Sequence, residues 1–156
     1  MDRLKRILYA EDNPQDVELT LAALKECNLA NSVDVVHDGK EVLDYLLHEG
    51  AFSGLERDPP ILVLLDLKMP KLDGIEVLRR LKSDESLRAI PVVMMTSSRE
   101  EKDLVESYRL GVNAYVVKPI DFTAFINAVK ELGVFWAFVN EVPPVGMKVA
   151  NQHGNG

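Results

Sequence analysis

The sequence predicts an α/β fold, a doubly wound five-stranded parallel sheet with helices on both faces, and three observations carry that prediction. Short apolar runs alternate along the whole chain with longer segments whose apolar residues recur at helical spacing. Each run is followed by an acidic or hydroxyl residue placed to cap a helix. The central run, Ile61 to Leu65, has no polar interruption, as in a strand buried on both faces of a parallel sheet.

Arg6 to Ala10 reads as the first strand, ended by Glu11 and Asp12. Asn13 then caps a helix, Pro14 suits its first position and Asp16 complements its dipole. That helix is expected to reach about Asn28, with Val17, Leu21, Leu24 and Cys27 facing inward. Ser32 to His37 is the second strand, and Asp38 with Glu41 forms a capping box for a helix through Leu47. Gly50 to Pro60, with two glycines and a Pro-Pro, reads as a loop. After Ile61 to Leu65, Asp66 stands where the strand emerges, and Asp73 with Glu76 opens a helix to about Lys82, Gly74 allowing the turn into it.

Ile90 to Thr96 is the fourth strand, and Ser98 with Glu101 opens a helix that Gly111 stops. Ala114 to Lys118 is the fifth strand, and Pro119 breaks its ladder. Asp121 caps a last helix to about Val139, leaving one domain over 1–140, a loosely held tail over 141–156, and no linker to an output domain.

Composition narrows the function. With 47% hydrophobic and 28% charged residues the chain reads as an ordinary globular protein. A net charge of -7 argues against direct nucleic-acid binding, which needs a basic face. One cysteine, Cys27, excludes an intramolecular disulfide. The start, MDRLKRILYAEDN, lacks the apolar stretch of a signal peptide or membrane span, so a cytoplasmic protein is expected. His37, His48 and His153 show no ligand spacing.

The strand ends hold the chemistry. Glu11 and Asp12 end the first strand, Asp66 the third, Thr96 the fourth and Lys118 the fifth, and in a doubly wound sheet these ends converge on one rim. Two carboxylates about 4 Å apart repel by roughly 4 kcal/mol at an effective dielectric near 20. A hard divalent cation relieves that repulsion, and Mg²⁺ suits a few carboxylates plus water. With Lys118 as a positive charge and Thr96 as a hydroxyl donor, the set suits a transferred phosphoryl group with a carboxylate as nucleophile.

Glu11-Asp12, Asp66 with Met69-Pro70 and Asp73-Gly74, Thr96-Ser97 and Lys118-Pro119 together resemble the receiver domain of two-component response regulators. The resemblance covers the chain to its last helix. It implies the flavodoxin-like strand order 2-1-3-4-5, Asp66 as phosphoacceptor, and Mg²⁺ held by Glu11, Asp12, Asp66 and the backbone carbonyl of Lys68. It further implies Thr96 and Lys118 on the phosphoryl oxygens, a cis Lys118-Pro119 bond, Tyr115 as an aromatic switch with Thr96, and a sensor histidine kinase as partner. By the same resemblance, Lys68 and Ser98 stand at the positions that vary across receivers and tune phosphoryl lifetime; Lys68 either lies across the phosphoryl, pairs with Glu11 when metal is absent, or is a solvated loop lysine.

The loop over 50–60 and the ending Phe135-Trp136…Asn140…Pro143-Pro144 are similar to stand-alone regulators that partner bacterial phytochromes. Val134, Phe135, Trp136, Phe138 and Val139 place apolar groups nearly all round the end of the last helix, more than one face can bury. The expectation is a homodimer through Phe135, Trp136, Phe138, Val139, Pro143 and Pro144. The bland alternative is that Phe52 and Leu55 of the long loop cover them.

Two other functions compete. An aspartyl-phosphate phosphatase needs an aspartate two residues past the nucleophile, where this chain has Lys68. A flavin or nucleotide binder wants a small-residue phosphate loop after the first strand, where this chain has EDNPQD.

Overall fold

The computed structural model describes residues 6–26, 33–54, 58–97, 101–118 and 122–131. Five strands, β1 (Ile7–Ala10), β2 (Val33–Val36), β3 (Leu62–Asp66), β4 (Val92–Thr96) and β5 (Ala114–Val117), form one parallel sheet in the order β2-β1-β3-β4-β5. Between and after them lie α1 (Pro14–Glu26), α2 (Gly39–Leu47), α3 (Gly74–Ser83), α4 (Glu101–Arg109) and α5 (Phe122–Glu131). The fold is the doubly wound, flavodoxin-like one expected.

Alternation along each strand sorts the core into two layers. Leu8, Ala10, Val63, Leu65, Val92 and Met94 pack under Val42 and Leu46 of α2 and Val77, Leu78 and Leu81 of α3. Ile7, Tyr9, Leu62, Leu64, Val93, Met95 and Val116 pack under Leu24 of α1 and Phe125 of α5. Each fully buried Leu or Phe contributes roughly 1.5–3 kcal/mol, so the two layers account for the bulk of the driving force.

The helix starts follow from their caps. Asn13 Oδ1 accepts from the N–H groups of Gln15 and Asp16. Asp38 and Asp73 accept from the N–H groups of Glu41 and Glu76. The α2 box is displaced by one residue, since Glu41 reaches back to the His37 N–H rather than to that of Asp38. Gly111 ends the α4 segment at φ 100°, a left-handed turn that a side chain would strain.

The structure corrects three details. β3 spans Leu62 to Asp66 rather than Ile61 to Leu65, because its ladder with β1 begins at Ile7–Leu62 and its ladder with β4 extends to Asp66–Met95. The expected loop after α2 contains a 3₁₀ turn over Gly50–Phe52. That turn seats Phe52 edge-on against Tyr45, ring centroids 5.2 Å apart, beneath α2. Phe52 thus packs in the α2–α3 layer, opposite α5. Gly74, thirdly, is needed for close approach rather than for the turn; that geometry belongs to the site below. Cys27, Leu55, Ser98, Pro119, Asp121 and everything from Leu132 onward lie outside the described residues, as therefore do the expected dimer residues Phe135, Trp136, Phe138, Val139, Pro143 and Pro144.

Candidate functional site

Strand alternation aims three charged side chains at the same place. Glu11 follows Tyr9 by two residues, Asp66 follows Leu64, and Lys118 follows Val116, and all three leading residues belong to the layer under α1 and α5. Ala10 pairs with Leu65, so Glu11 and Asp66 emerge side by side at the carboxyl end of the sheet. Glu11 is 1% exposed and Asp66 5% exposed, whereas Asp12 faces solvent.

Two buried carboxylates need a counter-charge, and Lys118 supplies it. Its Nζ lies 2.5 Å from Glu11 Oε1, 2.9 Å from Asp16 Oδ2 and 3.4 Å from Asp66 Oδ1. One cation does not offset the whole cluster. Burial, reinforced by the neighbouring Glu11, pushes the Asp66 carboxyl up to about 7, against the pull of Lys118. Burial draws the Lys118 ammonium down, but its bonds to Glu11 and Asp16 outweigh that and leave it raised. Buried Tyr9 is also raised, chiefly by desolvation, and its hydroxyl lies 3.4 Å from Glu11 Oε1.

Carboxylate oxygens of Glu11, Asp12 and Asp66 all lie within 4.8 Å of one another, a spacing that one hard cation can bridge with water completing its shell. The donor set is all oxygen, as such a cation requires. These residues therefore form an acidic cluster compatible with metal binding.

The loop after Asp66 is held tightly. Lys71 adopts φ 69°, making the turn, and its Nζ lies 3.5 Å from Asp38 at the start of α2. Gly74 donates to the Leu67 carbonyl at 2.7 Å, and a Cβ on it would sit 2.4 Å from the Asp66 carbonyl oxygen. Only glycine lets α3 begin against the end of β3, and this contact fixes the backbone of the acidic residue.

Thr96 is fully buried at the end of β4 and its carbonyl accepts from the Lys118 N–H at 2.8 Å. Thr96 pairs with Val117 and Met94 with Tyr115, so Thr96 and half-buried Tyr115 are diagonal neighbours on one face, within reach of an aromatic side chain.

A family model of the response regulator receiver domain matches residues 7–130. The chain belongs to that family. Among solved structures, this receiver is similar to the bacteriophytochrome response regulator AtBRR, with 58% identity, 90% of this chain and 100% of that one covered, and a TM-score of 0.80. The bacteriophytochrome response regulator RtBRR is 54% identical, with 97% and 91% covered and a TM-score of 0.80. Response regulator Rcp1 of Synechocystis sp. is 36% identical over 85% of this chain and 88% of its own, and a structure of Rcp1 in a Mn²⁺-bound form superposes with a TM-score of 0.68. The receiver is thus a phosphorelay signalling protein, homologous to stand-alone phytochrome response regulators. No helix among its described residues is long and apolar enough to cross a membrane.

Of the residues expected at the site, the structure brings together Glu11, Asp12, Asp66 and Lys118, and bonds the backbone of Thr96 to that of Lys118. Lys68 is exposed at the start of the loop, and Glu11 pairs with the buried Lys118 ammonium. Two residues were missed. Asp16 reads in the sequence as a helix-start acid, and Tyr9 as strand packing. The available signal was that α1 covers the face on which Glu11 and Lys118 emerge, which sets its first turn over the rim.

Proposed function

We propose that this receiver accepts a phosphoryl group from a histidine of a sensor kinase onto Asp66, in a Mg²⁺-dependent reaction. The observation that carries the reading is Asp66 itself: a buried carboxylate at a strand end, clustered with Glu11 and Asp12 and reached by the Lys118 ammonium at 3.4 Å. An Asp66 oxygen attacks phosphorus as the phosphorus–nitrogen bond to the donor imidazole breaks, and the bonding pair stays with the imidazole. Glu11, Asp12, Asp66 and the Lys68 carbonyl would hold the cation, which neutralises phosphoryl oxygens and screens the carboxylates from an anionic donor. Lys118 and the Thr96 hydroxyl take the remaining oxygens. The chain catalyses only its own phosphorylation and dephosphorylation. The likeness to two bacteriophytochrome response regulators supports a phytochrome-like kinase upstream. Mass spectrometry after incubation with acetyl phosphate and Mg²⁺ tests the reading: one added phosphoryl group supports it. Loss of labelling on chelation supports the metal.

Output is a shift between two surface states. Thr96 drawn toward the phosphoryl frees space that Tyr115, its diagonal neighbour, fills, and the α4–β5–α5 surface changes. Thr96→Ala is expected to take up phosphoryl but to show much smaller amide shifts than the wild type on adding beryllofluoride. Equal shifts would remove Thr96 from the switch.

The receiver domain spans 1–140 with a tail over 141–156, and the protein works in the cytoplasm without touching nucleic acid or membrane. It pairs as a homodimer through Phe135, Trp136, Phe138, Val139, Pro143 and Pro144. Placement of Phe52 in the α2–α3 layer supports this, because that residue is not spent covering the α5 side. Trp136→Ala is expected to weaken dimerisation by about 2 kcal/mol, roughly thirtyfold. Light scattering checks it; a strictly monomeric wild type at high concentration rules the dimer out.

A further inference from the structure

The Lys118 ammonium has three N–H donors and three carboxylates around it, at 2.5 Å (Glu11), 2.9 Å (Asp16) and 3.4 Å (Asp66). Two of those carboxylates have other tasks in the reaction proposed above. Asp66 is the group to be phosphorylated, and Glu11 belongs to the acidic cluster that would hold the cation. Asp16 is outside that cluster. It stands in the first turn of α1, its N–H bonded to the Asn13 cap and its carbonyl oxygen 3.3 Å from the Tyr9 hydroxyl. A rigid helix start therefore presents a carboxylate to the lysine from a direction the metal site does not use.

We propose that Asp16 is a positioning residue for Lys118: it holds the ammonium over the rim when Glu11 and Asp66 turn to cation and phosphoryl. A lysine stem has large rotamer freedom, and an ammonium with no fixed partner must be ordered anew for each phosphoryl group it meets. Asp16 keeps one N–H engaged throughout, which leaves the others directed at the acceptor. The side chain of Lys118 is only 9% exposed, so water is a poor substitute for the lost partner.

The inference rests on the reading of Asp66 as acceptor, and the experiment separates the two. Wild type, Asp16→Asn and Asp16→Glu are titrated with beryllofluoride in saturating Mg²⁺ by amide NMR. The ¹⁵Nζ resonance of Lys118 is followed in the same samples and in metal-free protein. Loss of one charge-assisted bond is expected to weaken beryllofluoride binding by about tenfold in Asp16→Asn. Affinity for Mg²⁺ alone should change by no more than about twofold, since Asp16 is outside the acidic cluster. The Lys118 ¹⁵Nζ signal should shift and broaden, and Asp16→Glu, which keeps the charge, should recover part of the affinity. Wild-type beryllofluoride affinity with an unchanged ¹⁵Nζ signal in Asp16→Asn would reduce Asp16 to a helix-start acid and overturn the proposal. A wild type that does not respond to beryllofluoride defeats the reading of Asp66. In that event the ¹⁵Nζ signal of metal-free Asp16→Asn still decides the positioning, and no change there overturns it.

Discussion

Asp66→Asn is expected to take up no phosphoryl group from acetyl phosphate and Mg²⁺ and, in metal-free buffer at pH 8, to unfold at a higher temperature than the wild type. The first result follows from losing the nucleophile while keeping its shape, since an amide oxygen carries no charge with which to attack phosphorus. The second follows from the cost of a second buried carboxylate beside Glu11. The Asp66 carboxyl is raised from 3.8 to about 7 by burial and by Glu11, so the folded state disfavours its charged form. Well below 3.8 the group is neutral in folded and unfolded chains alike and costs nothing. As pH rises toward 7 the unfolded chain ionises first and the wild type loses stability; above 7 the whole cost is present. Asparagine removes that cost, by about 1 kcal/mol or more, which is about 2–4 °C in a chain of this size. Thermal melts of both proteins at pH 4 and pH 8 check it: the gap should open with pH. A variant labelled at the wild-type rate would show that Asp66 is not the acceptor, and equal melting at pH 8 would remove the electrostatic argument.

Lys118→Met is expected to lose on the order of 3–5 kcal/mol of stability at pH 8, because it leaves Glu11 and Asp66 buried without their cation. The deficit should shrink as pH falls from 8 toward 5, since a proton on Asp66, raised to about 7, then does part of what the ammonium did. Urea unfolding at the two values measures both numbers. The same variant should be labelled by acetyl phosphate roughly 10²-fold more slowly, the usual effect of deleting one preorganised donor to a developing anion. A pH-independent deficit would mean that Lys118 stabilises through the packing of its stem alone. Unimpaired labelling would mean that it does not face the phosphoryl oxygens.

Much of this was legible in the amino acids because it depends on local chemistry. Uninterrupted apolar runs at Leu62–Leu65 and Val92–Met95 can only be buried strands or buried helix, and their length and flanking caps decide for strands. Asp38 and Asp73 at helix starts, and Gly111 at a helix stop, are chosen by backbone groups within a few residues. Acidic, hydroxyl and basic residues at successive strand ends identified Glu11, Asp12, Asp66, Thr96 and Lys118, since a parallel sheet gathers all its strand ends on one edge.

Only the tertiary structure decided which of those groups meet. Lys118 is 107 residues from Glu11 and 102 from Asp16, and nothing local selects those partners over Lys68, which lies far closer in sequence to Asp66 but turns to solvent. The need for glycine at position 74 likewise comes from the end of β3 pressing on the start of α3, a contact that turn chemistry alone does not reveal. Asp16 entered the site for the same reason: the sequence shows that it starts α1, but only the packing of α1 beside α5 on one face of the sheet places that start over the lysine. Sequence pattern determines elements and their chemistry within a few residues; partners across the sheet are set by strand order and register.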